Sequence, residues 1–129
     1  MIRSLFEIIL LSFTIFAESS GEPYEGKVAV GSVIRNRAEV YQESYSDIIL
    51  ANKQFSCYNS KKELMKHIKR IEIEVFAECA VIALGIYYNI IKDNTEGALY
   101  YVKMNVVVKW MKKMRVTILY NNHKFMVEN

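Results

Sequence analysis

Proline occurs once and glycine five times in the 129 residues, and no stretch combines Pro, Gly and Ser into a linker. Low-complexity tracts and internal repeats are also missing. Nothing therefore marks a domain boundary, and residues 1–129 are expected to form one domain. Cysteine is nearly as scarce. Cys57 and Cys79 make no disulfide framework, and the expectation is two free, buried thiols in place of a single bridge. Two histidines added to two cysteines fall short of any zinc spacing, which argues against a metal-dependent amidase. No metal and no cofactor is expected.

Long apolar runs are also missing. A membrane-spanning helix needs roughly 20 apolar residues, and the longest candidate, Leu5 to Ala17, is interrupted by Glu7, Ser12 and Thr14. No stable membrane insertion is expected. The same run has the form of a signal-peptide core ending near Ala17, and the competing reading is a buried core helix. Acidic residues are absent from Lys103 to Lys124, where six residues are basic. Residues 1–50 carry four basic and seven acidic side chains, and residues 51–129 carry thirteen and seven. A basic face of this kind suits a polyanion such as nucleic acid, anionic lipid or the acidic polymers of a cell wall, or is simply solvated. No helix-turn-helix, RNP or zinc pattern accompanies it, so no nucleic-acid partner is expected.

What is present reads as a soluble globular chain. Apolar residues make up 52% and charged residues 24%, enough for one compact core. Residues 4–18 read as a helix, apolar on most faces and therefore central, stopped by Ser19-Ser20-Gly21. A second helix begins at Pro23, a favoured first-turn position, with Glu22 and Glu25 at its positive end, and runs to about Arg37. Gly26 and Gly31 are poor helix formers, which points to a close helix–helix contact. Ser46-Asp47 suits the cap of a short helix through Leu50, and Asn52 to Ser60 reads as loop. Ser60-Lys61-Lys62-Glu63 has the form of a capping box, opening a helical stretch in two pieces to about Tyr88. There Ile73, Phe76, Ala77, Ala80, Val81 and Leu84 make a core stripe. After a turn at Lys92–Gly97 the character changes. Ala98–Val102, Val116–Tyr120 and His123–Val127 are β-prone, and Asn121-Asn122 suits a tight hairpin turn. The expected class is α+β, with N-terminal helices followed by a small antiparallel β-sheet.

Pattern gives one hint of chemistry. Glu18 ends an apolar helix just before a break, so its carboxyl stands where low-dielectric packing meets a loop-lined opening, a setting that suits a general acid.

Residues Ala17-Glu18-Ser19-Ser20-Gly21-Glu22-Pro23-Tyr24-Glu25-Gly26-Lys27-Val28-Ala29-Val30 resemble the opening motif A-E-A-x-G-E-x-x-x-G-x-x-A-V of the SleB-type cell wall hydrolases, the spore cortex-lytic family. The likeness continues through Val33-Ile34-Arg35-Asn36-Arg37 and Gln54-Phe55-Ser56-Cys57-Tyr58-Asn59. It extends to Gly97-Ala98-Leu99-Tyr100-Tyr101, Lys109-Trp110, Val116-Thr117 and Asn122-His123-Lys124-Phe125, and so covers about residues 6–127.

The resemblance implies a lysozyme-like domain in which residues 4–18 are a retained core helix, since the family's apolar helix leads directly into the A-E-A motif. It implies a monomeric lytic transglycosylase acting on the MurNAc–GlcNAc bond of peptidoglycan glycan strands, with Glu18 as the single acid/base. The alternatives are a hydrolytic muramidase and a non-catalytic wall-binding protein of the same fold. Ordinary glycosidases use two carboxyls, and Glu22 is the nearby candidate for a second, unless it caps the second helix. Phe55 and Tyr58 are expected to wall the groove. Of Tyr100 and Tyr101, one is expected to line it while the other packs, because strand alternation separates them. Trp110 either stacks on a sugar or anchors the sheet. His123 reads more readily as a hydrogen-bonding residue of the hairpin than as a proton carrier. Asn36 and Arg37 are expected to bind groups within the fold, and His67 is assigned no role. The site of action implied is the cell wall or spore cortex, reached by secretion or, for a phage-encoded lysin, through a holin. The chain departs from the family pattern at Ser19-Ser20, where Ala-Arg is usual, at Tyr58 for Trp, at Val106-Val107-Val108 for a segment with Pro, and at Asn122 for Gly.

Overall fold

Helix α1 spans Ile2–Ser19 in the computed structural model, which describes residues 2–51 and 54–129. Its second half is built into the core: Leu11 and Ile15 are fully buried and Phe16 nearly so, each worth about 1.5–3 kcal/mol on leaving water. The polar residues that break the apolar run are satisfied locally. Ser12, Thr14 and Ser19 each donate to the carbonyl four residues back, at 2.6–2.7 Å. Buried Glu7 accepts from the Ser46 amide at 2.8 Å and the Tyr87 hydroxyl at 3.0 Å. The first half departs from the expectation of a helix central throughout. Ile2, Leu5, Phe6 and Ile9 are more than half exposed, so one apolar face of α1 stands in solvent.

Helix α2, Tyr24–Tyr41, starts one residue later than expected, with Pro23 in the extended conformation as its cap. It also runs past Arg37, until Gln42 takes a left-handed φ of 53°. Gly31 sits where α1, α2 and α5 (Ile73–Tyr87) meet. A Cβ there would stand 2.4 Å from Ile86 Cδ1 and 3.0 Å from Ile15 Cδ1, both side chains fully buried. Gly31→Ala is therefore expected to destabilise by about 1–2 kcal/mol, read as a lower thermal midpoint, because core crowding outweighs the better helix propensity of Ala. The reason inferred for Gly26 is different from the one expected. The atoms nearest its open side all belong to the Glu22 side chain, with Cβ at 3.0 Å.

The short helix α3, Tyr45–Leu50, is capped by Ser44, whose hydroxyl accepts from the Asp47 amide at 3.0 Å. The cap falls two residues before the expected Ser46-Asp47, and Ser46, inside the first turn, gives its amide to Glu7. The loop expected from Asn52 begins outside the described residues. From Gln54 it continues through a 3-10 turn at Ser56–Tyr58. Ser60 caps α4, Lys61–Lys69, by accepting from Glu63 at 3.1 Å, one half of the expected box. Helices α1 and α5 lie antiparallel: Tyr87 meets Glu7 at one end, and Phe16 meets Phe76 at the other, ring centroids 5.9 Å apart.

Three strands follow: β1 (Tyr100–Lys103), β2 (Met114–Tyr120) and β3 (His123–Glu128). They form an antiparallel sheet in the order β1-β3-β2, with a bulge between Val116 and Ile118. The hairpin turn at Asn121 takes the positive φ, 43°, that an Asn tolerates. A 3-10 segment, Lys109–Lys113, leads into β2. The α+β expectation is borne out: five helices and a three-stranded antiparallel sheet among the described residues. The sheet packs on α2 through a second small core of Ala29, Val30 and Val33 against Ala98 and Phe125. The C-terminal end of α1 consequently faces β1 across a gap.

Candidate active site

That gap is the cleft. Glu18, one residue from the end of α1, accepts a short hydrogen bond from the Tyr101 hydroxyl on β1. Tyr101 is held by Phe125, ring centroids 5.5 Å apart, and by an edge contact with His123 at 5.2 Å. Burial first, and the Glu18 charge second, hold the Tyr101 phenol protonated well above its ordinary range. Tyr101 is thus a fixed donor to Glu18.

Cavities open on both sides of this pair. One, of about 230 Å³, is walled by Phe55, Leu99, Tyr100 and Trp110, with Val33, Arg37 and Gln54 at its edges. The other, of about 400 Å³, is lined by Ala17, Ser56, His67, Lys103 and His123. Glu18 and Tyr101 line both, and Glu18 is the one acidic residue in either wall among the described residues. Both tyrosines expected on opposite faces reach the first cavity. Tyr100 packs on Trp110 at 5.8 Å, and its hydroxyl donates to Glu128 and meets the Tyr41 hydroxyl, each at 3.1 Å. Trp110 braces β1 through Tyr100 and, 44% exposed, also lines the cleft.

Glu22 lies elsewhere. It lines neither cavity, and its buried carboxylate does not cap α2. It accepts instead from Asn121 Nδ2 at 2.8 Å, Asn122 Nδ2 at 3.1 Å, the Asn122 amide at 3.2 Å and His123 Nδ1 at 3.1 Å. Burial alone would raise its pKa, but the Asn122 amide, the Asn121 side chain and His123 outweigh burial and leave it below the usual carboxylate value. Glu22 is the clamp that fastens the β2–β3 hairpin to the start of α2, and His123 is oriented by that clamp. Tyr58 also turns inward. Its hydroxyl pairs with Thr14 Oγ1 at 2.8 Å beneath α1. Phe55 is the one residue of that expected pair to reach the cleft.

Asn36 behaves as expected, binding Ala98 O at 3.0 Å and Asp93 Oδ2 at 3.2 Å, and so fixing the turn that delivers β1. Arg37 does more than expected. Nη1 donates to Leu99 O at 3.3 Å, the guanidinium stands 5.5 Å from the Tyr100 ring centre, and the side chain lines the cleft with Glu18. A cation therefore shares the cleft with Glu18, although Ser20 stands where the resembling motif usually has Arg. Spacing on α2 held the signal for this, because Val33 and Arg37 are four residues apart and on one face. Cys57 and Cys79 are free and buried. Burial, and then the Glu18 charge, push the Cys57 thiol up to about 11, which removes it as a nucleophile at neutral pH.

Residues 21–126 match the family model described as Cell Wall Hydrolase, a match that begins three residues after Glu18. Among solved structures, the catalytic domain of the Bacillus cereus SleB protein is similar, with a TM-score of 0.74 and 26% identity over 94% of this chain and 89% of that one. The catalytic domain of the germination-specific lytic transglycosylase SleB from Bacillus anthracis gives 0.72 and 25% over 94% and 93%. No curated protein shows significant similarity to the chain.

Proposed function

Because the chain belongs to the cell wall hydrolase family, we propose that it is a peptidoglycan lytic transglycosylase in which Glu18 alone is the acid and the base. The observation that carries this reading is the position of Glu18 on both cavities as their one carboxyl among the described residues. A glycan strand laid along the cleft passes Glu18 with sugars on either side. The similarity to a solved lytic transglycosylase domain supports the same reaction.

The protonated Glu18 gives its proton to the glycosidic oxygen between MurNAc and GlcNAc, and the C1–O bond breaks toward an oxocarbenium ion. The carboxylate left behind removes the proton of the muramic acid 6-hydroxyl. O6 then bonds to C1 and closes a 1,6-anhydro ring. The proton count balances on Glu18 and no water is consumed. With Oε1 held by Tyr101, the exchanged proton is carried on Oε2. The aromatic surfaces of Tyr100 and Trp110 suit the apolar faces of sugar rings, and the Glu22 clamp makes a two-carboxylate muramidase less apt, because Glu22 is spent on the hairpin.

Mass spectrometry of digested peptidoglycan tests the proposal. Products carrying the anhydro ring support it, and products with a reducing, hydrated muramic acid end it in favour of hydrolysis. Tyr101→Phe removes the donor on Glu18 and is expected to lower kcat by about tenfold with little change in KM. An unchanged kcat would remove Tyr101 from the positioning of the acid.

A further inference from the structure

The two arms of the cleft differ in kind. The arm beyond Tyr100 and Trp110 offers mainly ring and aliphatic surface, and its cation, Arg37, is committed to Leu99 O and the Tyr100 ring. The other offers a hydroxyl, two imidazoles and an ammonium: Ser56, His67, His123 and Lys103. Lys103 and His123 are register partners across β1 and β3, so their side chains stand on one face of the sheet. His67 arrives from α4, a separate element. Both imidazoles have Nδ1 committed: His67 to Glu63 O at 2.9 Å, His123 to Glu22 at 3.1 Å. Those acceptors make Nδ1 the proton-bearing nitrogen in each ring. Nε2 of both rings, and Nζ of Lys103, take part in no hydrogen bond or ion pair among the described residues. Apart from Glu18 this wall contains no acid among the described residues. An uncompensated cation across the strand from an anchored imidazole, beside the reacting carboxyl, is a binding arrangement for an anion with acceptor oxygens.

We infer that Lys103, with His123 and His67 around it, forms a subsite for a carboxylate carried by the glycan strand next to the bond that is cleaved. This rests on the proposed cleavage of peptidoglycan and names the form of substrate that is preferred. Two sources supply such a group on muramic acid: the lactyl carboxylate when the peptide stem is gone, and the carboxylates of the stem when it is present. Neutral strands lose the contact.

Steady-state cleavage is measured on strands with stems, on strands stripped by an amidase, and on both after their carboxylates are capped as amides, with wild type and Lys103→Met. Capping is expected to raise the KM of wild type by about tenfold, the size of one charge-assisted contact. Lys103→Met is expected to raise KM equally on uncapped strands and to be insensitive to capping. Dependence on Lys103 that survives stripping assigns the lactyl group, and dependence that is lost assigns the stem. Equal KM for capped and uncapped strands with wild type, or the same capping effect in Lys103→Met, overturns the subsite while leaving strand cleavage intact. Failure of wild type to cleave any of the four substrates would instead sink the reading on which the subsite rests.

Discussion

Glu18→Gln is expected to lower peptidoglycan turnover by about 10³-fold or more while the protein stays folded. General acid–base catalysis is worth about 10²–10⁴-fold per step, and in the proposed mechanism one side chain serves two successive proton transfers. Gln retains the shape and can still accept from the Tyr101 hydroxyl, which now stands on Glu18. It has no proton of suitable acidity to give and no charge with which to take one back. Release of soluble muropeptides, followed by mass spectrometry, reads the loss, and circular dichroism reads the fold. Binding to insoluble peptidoglycan should persist, since the walls of the cleft are untouched. Cleavage by Glu18→Gln at the wild-type rate would point to a wall-binding protein contaminated by another enzyme, or to a different acid.

Glu22→Gln is expected to be the most damaging single polar change to stability, by about 3 kcal/mol, the scale of breaking a buried hydrogen-bonded charge pair. All the partners of the Glu22 carboxylate are donors: two Asn side chains, one backbone amide and His123. An amide in that position turns two of its own hydrogens toward donors and loses the charge. Against a total of about 5–15 kcal/mol for a domain, such a loss is large. The same site predicts acid sensitivity. The folded-state pKa of Glu22 lies below its unfolded value, as does that of Asp93, where burial is outweighed by the Thr95 hydroxyl and the Thr95 and Gly97 amides. Their stabilisation is present above the ordinary carboxyl range, about pH 4, and is lost as pH falls through the depressed values. Denaturant midpoints of wild type should therefore drop steeply below about pH 4, and the slope should be shallower in Glu22→Gln. Parallel pH profiles for the two proteins would argue against the clamp.

Helices and strands were readable because their signals are local. The apolar run of α1, the Ser60 cap and the Asn121-Asn122 turn each act within a few residues, and each element appears close to its expected bounds. The place of Glu18 was legible for a similar reason, as the end of an apolar helix within a dense motif. What lay outside reach depended on which distant atoms meet. The partner of Glu22 is one hundred residues away along the chain, at Asn122. Tyr58 turns inward to pair its hydroxyl with Thr14 on the first helix, 44 residues away along the chain. His67 lines the cleft only because the short helix α4 settles beside the 3-10 turn that precedes it. Nor did periodicity foresee the exposed face of Ile2, Leu5, Phe6 and Ile9, since the same spacing describes a buried stripe.

The link between Glu18 on the first helix and Tyr101 on the first strand bears on when the cleft is complete during folding. Glu18 stands on the first helix, but Tyr101 is steadied by Phe125 and His123 on β3, and the β2–β3 hairpin is anchored through Glu22 at the start of α2. Contacts of such sequence separation close late and slowly. Until β3 docks, Glu18 stands without the tyrosine's support and one wall of the groove is open. The pairing of Glu18 with its donor is thus a product of sheet closure, completed only when helix and hairpin are locked together.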